Sequence, residues 1–431
     1  MNLALGRVLD SFAIRSPNPA WIDATALLAR ERRVVEEYLD SDLADPVYGF
    51  TTRLGQEDAA PLSVEQQRDL LTNHLVGPAV TVPEDWRHLL ACVKAEQLHH
   101  GGSGVHPAVY GAVLGALHRD GEIRGSWLNS YSCGDVVPGA WFASDLVDAD
   151  EELLTHSGDL ITIINGHFVS TSISMIAAAS LANAVASLLA AWPADHTAPY
   201  AQLREGPRQV GGPPVSEPRT QAPVSLRDPE PIQAAFDHCF TALGVALEGR
   251  LNAPSCNPRF DFEAAGVHAV SQSSFLDYRL TFALTNAIQV AALTAGLWQR
   301  LIQHRCSTRL PVAGHVSRQI QAPKTAQGLV ERIRLAASMP AAFSGFDSEG
   351  IEDLRDLSLI SAQTLNQVTR MLDDFEGIWI STGADLPEAE ARDLRRMLLG
   401  RILGSDTTPT RTGSDALTEA ATKLIQLRAH F

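Results

Sequence analysis

Strand signals are what this chain has least of. Aromatic residues make up 6% of its 431 positions, and no convincing run alternates apolar and polar residues as a half-buried strand requires. Alanine and leucine are plentiful, which favours helix over sheet. Cysteine is scarce as well: Cys92, Cys133, Cys239, Cys256 and Cys306 are odd in number and widely spaced, with no CxxC pair. That excludes a disulfide framework or a zinc module and predicts a reducing, cytoplasmic setting. Basic residues are outnumbered, 34 Lys and Arg against 50 Asp and Glu, for a net charge of −16. Neither a nucleic acid nor an anionic membrane is an expected partner of such a surface. The opening MNLALGRVLDSFAIRSP has no basic run ahead of a long apolar core, so no signal peptide is expected.

What is present is helical. A chain of this length can bury a large core and hold two or three domains. Ile173 to Trp192 and Tyr278 to Arg300 are long and mostly apolar, broken only at Gly296. Each could pass for a weak membrane span, but recurring Asn, Ser, Thr and Gln point instead to central helices covered on all sides by others. Helical periodicity also marks 85–96, 107–118, 232–247, 327–337 and 358–375. From Arg204 to Pro231 the chain is too rich in Pro and Gly to be one helix and reads as the main linker. Thr407–Gly413 breaks the C-terminal region ahead of a short last helix around 415–429.

Several segments carry residues of catalytic type. The first is Tyr48-Gly49-Phe50-Thr51-Thr52-Arg53-Leu54-Gly55. Leu71-Thr72-Asn73-His74 and KAEQLHHGGSG (94–104) follow. Next come Ser132-Cys133-Gly134-Asp135-Val136-Val137-Pro138 and Leu160-Ile161-Thr162-Ile163-Ile164-Asn165-Gly166-His167-Phe168. The last are Gln221-Ala222-Pro223-Val224-Ser225-Leu226-Arg227, LNAPSCNP (251–258), Ser271-Gln272-Ser273-Ser274-Phe275 and Gly350-Ile351-Glu352-Asp353. His99 and His100, with His106 nearby, raise the question of a metal. Adjacent helix residues face different ways and no carboxylate completes a set in the sequence, so none is expected.

In this order and spacing, from about Tyr48 to about Leu359, the segments resemble the aromatic amino-acid ammonia-lyases and aminomutases, typified by histidine ammonia-lyase. The resemblance implies an all-α fold of the aspartase/fumarase type. A smaller N-terminal domain (1–170) would carry the tyrosine and electrophile loops, and a long central bundle with C-terminal helices would fill 171–431. It implies a homotetramer with shared sites, an amino-acid substrate, and neither metal nor nucleotide. In the family an Ala-Ser-Gly tripeptide cyclises to 4-methylidene-imidazol-5-one (MIO), an electron-poor alkene that serves in place of a bound cofactor. Here the matching residues are Ser132, Cys133 and Gly134. A thiol can also leave by β-elimination, so MIO is accessible from Cys133; alternatively Cys133 stays a thiol, as a nucleophile or a buried apolar residue. By the same resemblance Tyr48 is the base, Asn165 supports the substrate or the ring, and Arg227 clamps the carboxylate, with Gln221 beside it. His74, Phe275 and Glu352 line the substrate. Departures include Arg53 for a glycine, His167 and Phe168 for Thr and Gln, and Val224 for a tyrosine. Three functions follow as expectations. They are a carbon–nitrogen lyase or 2,3-aminomutase using MIO; a relative without MIO that uses Tyr48, Arg227 and the Cys133 thiol for another elimination or transfer; and a non-catalytic binding relative.

Overall fold

The computed structural model describes residues 3–41, 45–130, 134–192, 223–226, 230–264, 266–308, 316–338, 344–347, 352–403 and 411–431. Most of the 204–231 linker therefore lies outside the described residues.

The local sequence accounts for where helices begin. Asn18 accepts the Ala20 N–H on its side chain at 3.0 Å, and Pro19 follows at a position whose missing N–H costs nothing, opening Pro19–Leu39. His106 does the same for Pro107–Gly115, accepting from Ala108 N–H at 3.2 Å.

The architecture is helix packed on helix, as expected. At its centre runs Phe168–Ala191, in which every residue but Asn183 and Leu189 is buried. It packs most extensively against Ser358–Ser381 and Glu388–Ile402, then against Tyr278–Thr308, Arg411–Leu427 and Glu84–Leu98. Its hydroxyls do not interrupt this burial, because Ser172, Ser174 and Ser180 each donate back to the carbonyl four residues earlier. Two helical stretches, Asp159–Ala191 and Tyr278–Ser307, are long and apolar enough to cross a membrane by length and composition alone. Of their most apolar windows, 89% and 61% are buried inside the protein, so helix packing accounts for much of their apolar content.

Glu84–Leu98 and Glu230–Leu251 outrun their sequence-based bounds by about a turn or less, Phe168–Ala191, Tyr278–Thr308, Val316–Ala337 and Ser358–Ser381 extend further at one end, and Pro107–Gly115 stops short, followed by the helical turn Ala116–His118. The last helix starts earlier than expected, at Arg411. Among the described residues strands do form, in three antiparallel pairs: Val80–Val82 with Ile123–Gly125, Arg259–Glu263 with Gly266–Val270, and Ser344–Asp347 with Glu352–Leu354. None is longer than five residues, too short for alternation to stand out.

Candidate active site

The Tyr48 segment is a tight turn. The Val47 carbonyl accepts the N–H groups of Phe50, Thr51 and Thr52, and Thr51 Oγ1 accepts the Val47 N–H at 2.8 Å. Gly49 is required here: its φ is 71°, and a methyl would sit 2.7 Å from the Ile161 side chain. Phe50 pins the turn, packing edge-on against Phe260 with ring centres 5.0 Å apart, while Ser157 Oγ donates to its carbonyl at 2.6 Å. The turn returns on itself so that Gly55, first residue of the short helical turn Gly55–Glu57, donates its N–H to the Tyr48 hydroxyl oxygen at 3.0 Å. That hydroxyl faces a cleft of about 500 Å³ lined by Thr52, Asp58, Asn257, Gln272 and Phe275, among others.

Phe275 also borders a small polar cavity on the side of Gly134, shared with Asp135, His167, Ser170, Arg250 and Asp356. Gly134 has φ 77°, and a methyl there would meet the Gly166 carbonyl at 3.4 Å. Two helices start at this point, Val136–Ala149 after Asp135 and Phe168–Ala191 after His167. The turns are joined by Asp135 N–H donating to the Gly166 carbonyl at 2.6 Å. Both positive helix ends therefore lie beside Gly134, a favourable place for developing negative charge. The Asp135 carboxylate accepts Ser170 N–H at 2.8 Å and Ser170 Oγ–H at 3.0 Å. Burial still pushes its pKa up, to about 6. Behind it, Arg250 pairs with Asp356, which also accepts from Thr281 Oγ1 and from the Ser358 and Asp277 N–H groups. Burial works against the Asp356 anion, but Arg250 and these donors outweigh it and hold its pKa below the ordinary value.

Asn165 ends the Asp159–Ile164 helix and is 7% exposed. Its carbonyl accepts from Lys94 Nζ at 2.8 Å. Among the described residues its side-chain Oδ1 is buried without a partner, the kind of orphan that marks a site built for something else.

A profile of the aromatic amino acid lyase family matches residues 21–122. Histidine ammonia-lyase of Deinococcus radiodurans is 27% identical over 125 residues, 28% of this chain and 24% of that protein. The matched stretch thus spans about a quarter of the curated relative's length. Residues 21–122 are thus similar to the aromatic amino acid lyases. Solved structures extend the likeness in fold to the whole chain. Trypanosoma cruzi histidine ammonia-lyase superposes with TM-score 0.67 at 16% identity, covering 99% of this chain and 93% of that one. Pantoea agglomerans phenylalanine aminomutase gives TM-score 0.67 at 13% identity, with 95% of each chain covered.

Tyr48 and Phe275 thus line one cleft, and Phe275 and Gly134 line a second, smaller cavity. His74 is elsewhere: it closes the Gln66–His74 helix, its Nδ1 2.7 Å from the Leu70 carbonyl, and it does not line the cleft. Ser132, Cys133, Gln221 and Arg227 lie outside the described residues, as does the Glu352 side chain. The carboxylates that line the cavity at Gly134 are Asp135 and Asp356. Sequence reading missed Asp356, Arg250 and Lys94 as contributors to this centre; each stands within a few residues of a matched segment, but only folding brings them to Gly134. Arg53 turns away to pair with Glu57 at 2.9 Å, so its side chain is held at the loop's outer side. Val224 is 75% exposed.

Carboxylates do join the histidines, contrary to the sequence-based expectation: Glu96 lies with His99 and His100, and Asp159 with His106 and His156. Glu96, however, is bonded by Arg7 and by Trp21 Nε1 at 2.7 Å. His106 spends Nδ1 on its helix cap, which puts the ring proton on Nε2, and it stacks on His156 at 3.7 Å. Glu96 is thus engaged by other groups, while in the second group Asp159 keeps one carboxylate oxygen without a partner among the described residues.

Proposed function

We propose that this chain is a carbon–nitrogen lyase or 2,3-aminomutase for an α-amino acid with an aromatic or imidazole-like side chain, working through an MIO-type electrophile. The observation that carries the reading is the shared cleft. A tyrosine whose hydroxyl accepts a main-chain N–H lines the same cleft as Phe275, and Phe275 and the glycine of the electrophile motif line a neighbouring cavity.

The surroundings of Gly134 fit the group. The glycine is left-handed, two helix N-termini meet beside it, and the Asn165 amide oxygen is unpartnered among the described residues. When formed from Ser132, Cys133 and Gly134, MIO supplies an electron-poor alkene that draws electron density from the substrate. The rest falls to ordinary side chains. Tyr48 takes the β-proton, its oxygen held in place by the Gly55 N–H. Arg227, with Gln221, holds the substrate carboxylate through a planar guanidinium. Asn165 orients the amino group, and Phe275 covers the reacting carbon from water. The same reading carries a homotetramer in the cytoplasm.

A panel of aromatic and imidazole α-amino acids, assayed for ammonia release and for β-isomer formation, tests this. The wild-type chain turns over at least one of them, and Tyr48→Phe is slower by roughly 100-fold or more, the usual worth of a positioned base. Equal rates in both proteins overturn the assignment of the base. A second reading keeps Cys133 as a thiol and assigns the site another elimination or transfer. The solvent position of Val224, where the family has a tyrosine, favours it.

A further inference from the structure

Lys94 sits where a cation is costly. It is 3% exposed on the Glu84–Leu98 helix, and its Nζ lies 4.9 Å from the centre of the Phe168 ring. Among the described residues it has no ion pair, and its one hydrogen bond goes to the main-chain carbonyl of Asn165 at 2.8 Å. Three residues further along the same helix, Gln97 reaches the same turn: its Nε2 is 2.6 Å from His167 Nδ1, and its Oε1 accepts from Ser255 Oγ at 3.1 Å. Positions three apart share a helix face, so Lys94 and Gln97 grip the Asn165–Gly166–His167 turn from one side. From the other side Gly166 takes the Asp135 N–H, and a methyl at Gly166 would meet Ser255 Oγ at 2.7 Å. The turn cannot shift without moving Gly134.

We propose that Lys94 is a positioning residue: by holding the Asn165 carbonyl it fixes the Asn165–Gly166 turn against Gly134. The inference rests on Gly134 belonging to the reacting centre.

The electrostatics agree with this geometry. Burial lowers the amine's pKa to about 7, opposed only weakly by Cys256 and Asp135. The titratable groups facing it are Asp135 at the start of Val136–Ala149, the Cys256 thiol beyond Glu230–Leu251, and His167 at the start of Phe168–Ala191; Arg250 stands behind His167 and Asp135. Burial keeps His167 neutral and the Cys256 thiol protonated, its pKa pushed up to about 11. An unfolded lysine titrates above pH ~10. Between that pH and about 7 the unfolded chain holds a proton that the folded chain lacks, so the amine makes folding weaker as pH falls through this window. The fold thus keeps a destabilising group at the one place where it grips the turn.

The test pairs two readouts on Lys94→Met, which keeps the stem and removes the amine. One is thermal unfolding from pH 6 to 10; the other is hydrogen exchange of 134–139 and 165–168. The expected result is an unfolding temperature equal to or above wild type at pH 6–7, a difference that vanishes toward pH ~10. With it comes roughly tenfold faster exchange confined to the two segments, the protection one buried hydrogen bond confers. Unchanged exchange overturns the proposal, and so does a lower unfolding temperature with faster exchange throughout, which is the mark of a packing role. Should Lys94→Met fail to fold, wild-type protein decides. Protection of the 165–168 amides, corrected for intrinsic rate, does not fall as the amine protonates below pH about 7, because a charged donor holds the Asn165 carbonyl more strongly, whereas protection that drops there overturns the proposal. Neither readout needs turnover, so failure here is distinct from failure of the proposed activity.

Discussion

Two buried carboxylates flank Arg250 and respond to pH in opposite senses. Asp135 titrates near 6, above an unfolded aspartate at ~3.9. Between these values the folded chain holds a proton that the unfolded chain has lost, so Asp135 makes stability fall as pH rises through the window. Asp356 is held low by Arg250 and its N–H donors; its contribution is present above pH ~3.9 and is lost as pH falls below it. Asp135→Asn keeps an acceptor for Ser170 and is expected to raise stability at pH 8 by about 2 kcal/mol with no gain at pH 4, measured by denaturant unfolding at both. Asp356→Asn strands a buried guanidinium and is expected to cost about 3–5 kcal/mol at pH 8. If the two substitutions shift stability alike, the pairing of Arg250 with Asp356 in preference to Asp135 is wrong. Tyr48, Gly134 and Asn165 stand out in the sequence through their motifs. Lys94, Arg250 and Asp356 do not, since a lone Lys, Arg or Asp carries no local sign that folding will bury it.

At the level of elements, the turn at Gly134 depends on how closely Val136–Ala149 approaches Asp159–Ile164. Gly139 makes that approach possible, for a methyl there would stand 2.5 Å from the Ile164 carbonyl oxygen. Gly139→Ala cannot be absorbed by rotating a side chain and is expected to cost about 2–3 kcal/mol. Because Ile164 immediately precedes Asn165, it also loosens the turn beside Gly134. Denaturant unfolding and exchange at 165–168 check both effects; wild-type values would show that the two helices are further apart. The long helices could be read from apolar periodicity because burial on all sides leaves an unmistakable apolar run, as in Phe168–Ala191. The short hairpins could not. Arg259–Glu263 presents only Phe260 as a buried residue, and one buried side chain sets no period.

At the scale of the whole molecule, the likeness to lyase and mutase structures runs over nearly the full chain, while sequence matching reaches only residues 21–122. Long helices tolerate replacement wherever a residue of similar size and polarity fills the same space, so fold outlasts sequence. If sites are shared between chains, light scattering gives four times the 46.4 kDa chain mass; a monomer that retains turnover contradicts that arrangement. The central claim is that this chain builds its electrophile from Ser132, Cys133 and Gly134, and the most direct measurement is the mass of the purified protein and of the peptide spanning those residues. The account predicts a deficit of one water plus one hydrogen sulfide. An unmodified peptide with a titratable Cys133 thiol would contradict it.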